Sequence, residues 1–187
     1  MSALAPTLQA FFTDRLLAQR QASPRTVTAY RDTLRLLLGF AQQRTATPPS
    51  RLDIADLDAE LVVAFLTHLE HDRRNGVRTR NARLAAIHSL FRFAALRHPE
   101  HAESIARVLA IPAKRHDRAL LCFLTPTETN ALLAAPDRST WLGRRDHALL
   151  VLAVQTGLRV SELTTLTIAD LHLGDSPHVK CVGKGRK

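Results

Sequence analysis

Arginine carries most of the chemical reach of this chain. Of its 26 basic residues, 22 are Arg and 4 are Lys, against 17 acidic residues, for a formal net charge of +9. Arg73, Arg74, Arg78, Arg80 and Arg83 crowd one stretch with no acidic residue between Arg73 and Arg83. Arg80 and Arg83 stand three apart, which reads as one helix face opposite an apolar stripe of Leu84, Ile87 and Phe91. Thr28, Arg31 and Arg35 form a similar polar face earlier in the chain. Guanidinium forks on helix faces suit phosphate clamping, or bidentate reading of guanine in a major groove. The bland alternative is a solvated helix face. The acidic patch between Asp53 and Asp72 places negative charge elsewhere and leaves a one-sided field.

Other constellations offer less. Ser161 lies close to Arg159 and Glu162 but has no histidine near it in sequence, so nucleophile activation is not evident and a helix-start role is simpler. His68 and His71, like His98 and His101, stand three apart. A metal centre needs three or four converging ligands, so these read as surface histidines at helix ends, and no metal or other cofactor is expected. Gly183-Lys184-Gly185 lacks the earlier glycine, the following Ser or Thr and the helix of a phosphate loop, and reads as a strand-end turn.

Helices must position most of these residues. Apolar residues make up 45% of the chain and charged residues 23%, which excludes a disordered polyelectrolyte. Glycine is sparse before residue 140 and clusters after it. Leu8, Phe11, Phe12 and Leu16 line one face of a helix over about 7–19. Ser23 and Pro24 cap the next, which turns Val27, Tyr30, Leu34, Leu37, Leu38 and Ala41 inward. Asp56 or Asp58 starts a third, with Leu61, Val62, Phe65 and Leu69 as its stripe and Asn75-Gly76 as its stop. A fourth runs over about 79–96 and a short fifth over about 102–109. Residues 110–120 are basic and aperiodic. The expected plan is a helical domain over 1–110, a linker over 111–123 and a second domain over 124–187. In the second domain Thr125-Pro126-Thr127-Glu128 is a capping box with a proline start. Helices over about 144–155 and 161–166 follow, then a strand over 178–182 with no second strand to pair with. That unfinished hairpin suggests a fragment, with the helical bundle as its stable unit and a mobile tail beyond Leu173. No apolar run approaches the ~20 residues of a membrane span. The two distant cysteines, Cys122 and Cys181, form no disulfide framework and suit a reducing, cytoplasmic setting.

The segment Thr156-Gly157-Leu158-Arg159-Val160-Ser161-Glu162-Leu163 closely resembles the first arginine motif of the tyrosine recombinases, or phage integrases. Residues 182–187 (VGKGRK) resemble that family's β-hairpin lysine motif. Residues 23–36 and 79–94 are similar to the second and fourth helices of its core-binding domain. The resemblance covers essentially the whole chain. It implies a mainly α protein: a four- or five-helix core-binding bundle followed by an incomplete α+β catalytic domain, the two clamping duplex DNA. In the family a tyrosine attacks a backbone phosphate without metal or high-energy cofactor. Arg159 matches the first catalytic arginine, whose fork stabilises the phosphorane and whose helix N-terminus adds N–H groups. Lys184 matches the lysine that protonates the departing 5′ oxygen, and Glu162 an acid that holds Arg159. Thr28, Arg31, Arg35, Arg78, Arg80 and Arg83 fall to DNA contact. The family's His-x-x-Arg segment and nucleophilic tyrosine lie beyond the hairpin lysine. The one tyrosine here, Tyr30, sits at an apolar helical position. The resemblance thus implies a truncated recombinase that binds duplex DNA without cleaving it, a monomer in solution, with full-length protomers as further partners. A regulatory or decoy DNA-binding protein, or a helical interaction module with an incidental basic face, are the alternatives.

Overall fold

Capping fixes where most helices of this chain begin. The computed structural model describes residues 4–115, 122–181 and 183. Ser23 opens the 22-residue helix α2 (Pro24–Thr45) by accepting the Thr26 N–H, with Pro24 at its first position. Asp58, the second of the two candidate caps, opens α3 (Ala59–His71) by accepting the Leu61 N–H at 2.8 Å. Before them, α1 (Leu4–Ala10) runs on as a π-helix over Phe11–Gln19. The wider π turn brings Phe11 and Leu16, five residues apart, onto one buried side. After them come α4 (Val77–Ala95) and α5 (Ala102–Leu109).

The stop of α3 differs from expectation. Gly76 has φ −67° and starts α4, while Arg74 takes the left-handed conformation at φ 52°. The reversal is held by the Asn75 N–H donating to the Leu69 carbonyl at 2.9 Å.

The chain divides into two compact units, Met1–Arg118 and Ala119–Lys187. In the first, one core gathers Phe11, Leu34, Leu37, Val62, Phe65, Leu69, Leu84, Ile87, Phe91, Ile105 and Val108. His88 ties α4 to α5 by donating from Nε2 to the Val108 carbonyl at 3.1 Å. Its pKa lies below the ordinary histidine value, first because it is desolvated; Arg92 and Arg80 add to that, and the bond to Val108 opposes it.

The second unit holds α6 (Pro126–Ala134), α7 (Trp141–Thr156), α8 (Val160–Leu163) and a two-stranded antiparallel sheet, β1 (Leu171–His172) with β2 (His178–Val179). The expected unpaired strand does have a partner, and it lies upstream. His172 faces His178 in register, their rings stacked with centroids 4.4 Å apart. Val182 and the Lys184-Gly185 turn lie outside the described residues. Gly143 sits where α7 crosses the chain at Asp137, and a Cβ there would strike the Asp137 carbonyl. Among the described residues of this unit, Leu163 is the one large apolar residue that is buried, while Phe123, Trp141, Val160, Ile168 and Leu173 are mostly exposed. No helix among the described residues is long and apolar enough to cross a membrane.

The capping box at α6 forms as its sequence dictates. The Thr125 hydroxyl accepts the Glu128 N–H, and the Glu128 carboxylate accepts the Thr125 N–H at 2.8 Å. The Thr125 N–H, and then the Thr125 hydroxyl donating to the same carboxylate oxygen at 2.9 Å, hold the Glu128 carboxyl below its ordinary pKa. A depressed carboxylate stabilises above its unfolded pKa, and the stabilisation fades as pH falls through the folded one. Acidification through the carboxylate range is therefore expected to free the Thr125 amide, read as faster hydrogen exchange there than at the middle of α7.

Candidate nucleic-acid interface

Helices α2 and α4 pack side by side and leave between them a groove of about 490 Å³. From α2 it is lined by Arg25, Thr26, Ala29, Tyr30, Asp32 and Thr33, and from α4 by Thr79, Ala82, Arg83 and Ala86. Of its small lining residues, Ala86 is buried while Ala29 and Ala82 are exposed. Its rim carries the guanidiniums of Arg25 and Arg83 with the hydroxyls of Thr26 and Thr79. Arg83 Nε is enclosed without a hydrogen-bond partner. Burial, and then the nearby Arg73, lower the Arg83 pKa, while Asp32 across the groove raises it. An arginine stays charged through such a shift. Because Nε is shut off from solvent, an anionic oxygen in the groove would meet the Arg83 guanidinium through its terminal nitrogens.

The expected DNA-contact residues separate into three groups. Arg83 lies in the groove, and Arg78 is exposed one residue before its lining residue Thr79. Thr28, Arg31 and Arg35 are exposed on α2 but on its far side, outside the groove lining. Arg35 there makes a long, exposed ion pair to Asp32, 3.8 Å, of a kind worth little. Arg80 corrects the expectation. It is 6% exposed, and its Nη1 donates to Asn81 Oδ1 at 3.1 Å and to the Pro112 carbonyl at 3.0 Å. The reason is phase: residues 80, 84, 87 and 91 repeat at four, three and four, so Arg80 continues the buried stripe and does not oppose it. Arg25, Thr26 and Thr79 are groove residues that charge clustering missed. Their signal was the small-residue pattern of the two helices, Ala29 with Ala82 and Ala86.

The second unit presents a different cation. α7 ends at Gly157, which takes φ 66° as the left-handed cap, and the chain re-enters a helix at Val160. Arg159 stands between. Glu162 Oε2 accepts the Arg159 N–H at 2.8 Å, and Oε1 accepts from Arg159 Nη1 at 3.0 Å. The carboxylate is 10% exposed and the guanidinium 67% exposed. The acid is thus the anchored member of the pair, and the fork is held by it at the surface. The Arg159 backbone N–H is taken by Glu162. The Arg159–Glu162 contact is present; Lys184 lies outside the described residues. Tyr30 is half-buried and stacks on Phe11, centroids 6.3 Å apart. No group of three or more metal-ligating side chains occurs among the described residues.

These two cationic features fall in two separately recognisable stretches. Residues 10–98 match the family model described as "Phage integrase, N-terminal SAM-like domain", and residues 122–187 match "Phage integrase family". The chain belongs to the phage integrase family. A Sinorhizobium fredii protein named as an integrase/recombinase is 59% identical over 186 residues, covering 100% of this chain and 56% of the relative. A second from that organism is 45% identical over 185 residues, covering 98% and 66%. The tyrosine recombinase XerC of Xanthomonas campestris pv. campestris is 36% identical over 176 residues, covering 94% and 51%. This integrase-family chain therefore spans about half to two thirds of the length of these relatives. No solved structure matches it. The mainly helical architecture, a bundle followed by part of an α+β unit, is the one the family match calls for.

Proposed function

We propose that this chain is the DNA-gripping part of a site-specific tyrosine recombinase, acting on duplex DNA in the cytoplasm. The observation that carries the reading is the Arg159–Glu162 pair, an exposed guanidinium fork held by a nearly buried carboxylate within the family's arginine motif. Held this way, Arg159 gives two parallel N–H donors to the non-bridging oxygens of one backbone phosphate. Charge that builds on those oxygens during strand exchange meets a donor set that needs no reorganisation. Lys184, the match to the hairpin lysine, is assigned the proton for the departing 5′ oxygen. The α2–α4 groove, with Arg25 and Arg83, holds the same duplex through the bundle. The two exposed free thiols, Cys122 and Cys181, fit a reducing compartment.

The 187-residue polypeptide is proposed to bind without cutting. Tyr30 is its one tyrosine, and its ring is occupied in packing against Phe11. Incubation with end-labelled duplex, followed by denaturing electrophoresis, checks both statements. The expected result is a shifted complex under native conditions and no protein–DNA adduct after denaturation. A denaturant-resistant adduct that disappears in Tyr30→Phe would overturn the non-cutting assignment.

A further inference from the structure

The residues that follow α5 are aperiodic, and the sequence reads them as the start of a linker. They are fastened to the bundle. Ile111 is buried, and Arg80, at the buried face of α4, donates to the Pro112 carbonyl. Asn81 grips the backbone of Lys114 from both sides: its Nδ2 donates to the Lys114 carbonyl at 2.7 Å, and its Oδ1 accepts the Lys114 N–H at 3.0 Å. The Lys114 ammonium reaches Glu70 on α3, at 2.8 and 3.0 Å to its two oxygens. Glu70 is 14% exposed, which shields that pair from solvent better than a surface pair. Arg80 and Asn81 interleave on α4 with Thr79 and Arg83 of the groove. One turn of one helix therefore holds the groove on one side and the outgoing chain on the other.

We propose that Glu70, Arg80 and Asn81 are positioning residues. They make residues 111–114 a strap of the bundle, so the chain departs toward the second unit from a fixed point on α3 and α4. The assignment rests on the DNA-binding reading above, because its purpose is to hold two DNA-gripping units at a set reach on one duplex. Two linked sites bind with an effective concentration set by the length and stiffness of what joins them. Releasing the strap adds four residues to the connection between the last anchored residue and α6 and removes its fixed exit direction. Length alone lowers that concentration by about one and a half-fold, and the lost direction lowers it further.

The test uses the full chain and the double variant Glu70→Ala/Asn81→Ala, which spares the buried Arg80. Two quantities are read: hydrogen exchange at the Lys114 amide, and affinity for a duplex of about 30 base pairs against one of about 15, roughly three and one and a half helical turns. Because Arg80 still holds Pro112 and Ile111 stays buried, the variant frees residues 113–114, and the expected result is faster exchange at Lys114, at least about a 1.3-fold loss on the long duplex, and unchanged affinity for the short one. Unchanged exchange at Lys114 overturns the strap. Equal losses on both duplexes reduce these residues to a purely structural role and overturn the positioning assignment. If the unaltered chain binds neither duplex, the DNA-binding reading itself has failed and the positioning role falls with it, while the exchange arm still decides whether the strap exists.

Discussion

Replacing Arg25 and Arg83 together by glutamate is expected to weaken duplex binding by at least about a hundredfold. Both side chains line the groove between α2 and α4, and neither is spent on a hydrogen bond inside the bundle among the described residues. A charge-assisted hydrogen bond is worth about 1.5–3 kcal/mol, so losing one costs about tenfold or more. Two such losses multiply, and the introduced carboxylates add repulsion from the phosphates. Arg25 is exposed, while at position 83 relief from burial and from Arg73 is set against a new carboxylate facing Asp32, so a modest loss of stability is expected. Fluorescence anisotropy with a labelled duplex, together with a urea melt, separates the two effects. The expected pattern is lost affinity under conditions where the melt shows the variant still folded. Unchanged affinity would mean the groove is not part of the footprint and would move attention to Thr28, Arg31 and Arg35 on the far side of α2.

The second large effect is on the fold. Phe11→Ala is expected to destabilise the bundle by about 3–5 kcal/mol, a large share of the stability of any domain of this size. The Phe11 side chain is wholly buried. Its ring meets Phe12 edge-on at 5.5 Å, Phe93 at 5.7 Å and Tyr30 in a parallel stack at 6.3 Å. Truncation leaves a cavity and removes all three aromatic contacts. The midpoint of thermal unfolding is expected to fall by roughly 12 °C or more, from about 4–8 °C per kcal/mol in a domain of this size. Because Tyr30 lines the groove, DNA affinity should fall with it, and should recover on cooling below the lowered transition. Circular dichroism at 222 nm follows the melt. A shift of only a degree or two would show that the π-helical segment repacks around the smaller side chain.

Helices α2 and α3 were legible because each carries its own start signal and a buried stripe of the right period, while α4 and α5, which begin without a capping side chain, were legible from their stripes alone. Ser23-Pro24, Asp58 and the Thr125–Glu128 box do their work locally, within three residues, so tertiary context has little to override. The Arg159–Glu162 contact was legible through the family's arginine motif, and the spacing of three residues at a helix start allows it. What the sequence concealed involves partners distant along the chain. Arg80 reads as a surface cation until its phase with Leu84, Ile87 and Phe91 is counted, and its acceptor, the Pro112 carbonyl, is 32 residues away. The strap of residues 111–114 has no periodicity because single hydrogen bonds and one ion pair hold it, with Ile111 as its one buried apolar side chain. The strand at His178 found its partner in only two residues, Leu171 and His172, too short a run for alternation to register. The left-handed residue after α3 is Arg74 where composition pointed to Gly76, because the reversal is set by the Asn75–Leu69 bond and not by glycine's freedom.

The salt dependence of duplex binding tests the central claim most directly. Each phosphate neutralised by an arginine releases counterions and contributes about −0.9 to the slope of log K against log salt. With Arg25, Arg78 and Arg83 on the bundle and Arg159 on the second unit, the slope for the full chain is expected to be about −3.6 or steeper. The Arg25→Glu/Arg83→Glu variant should be shallower by about 1.8. A slope near zero, or no duplex binding at low salt, would contradict the account and leave the arginine faces of this integrase-family chain as solvated surface.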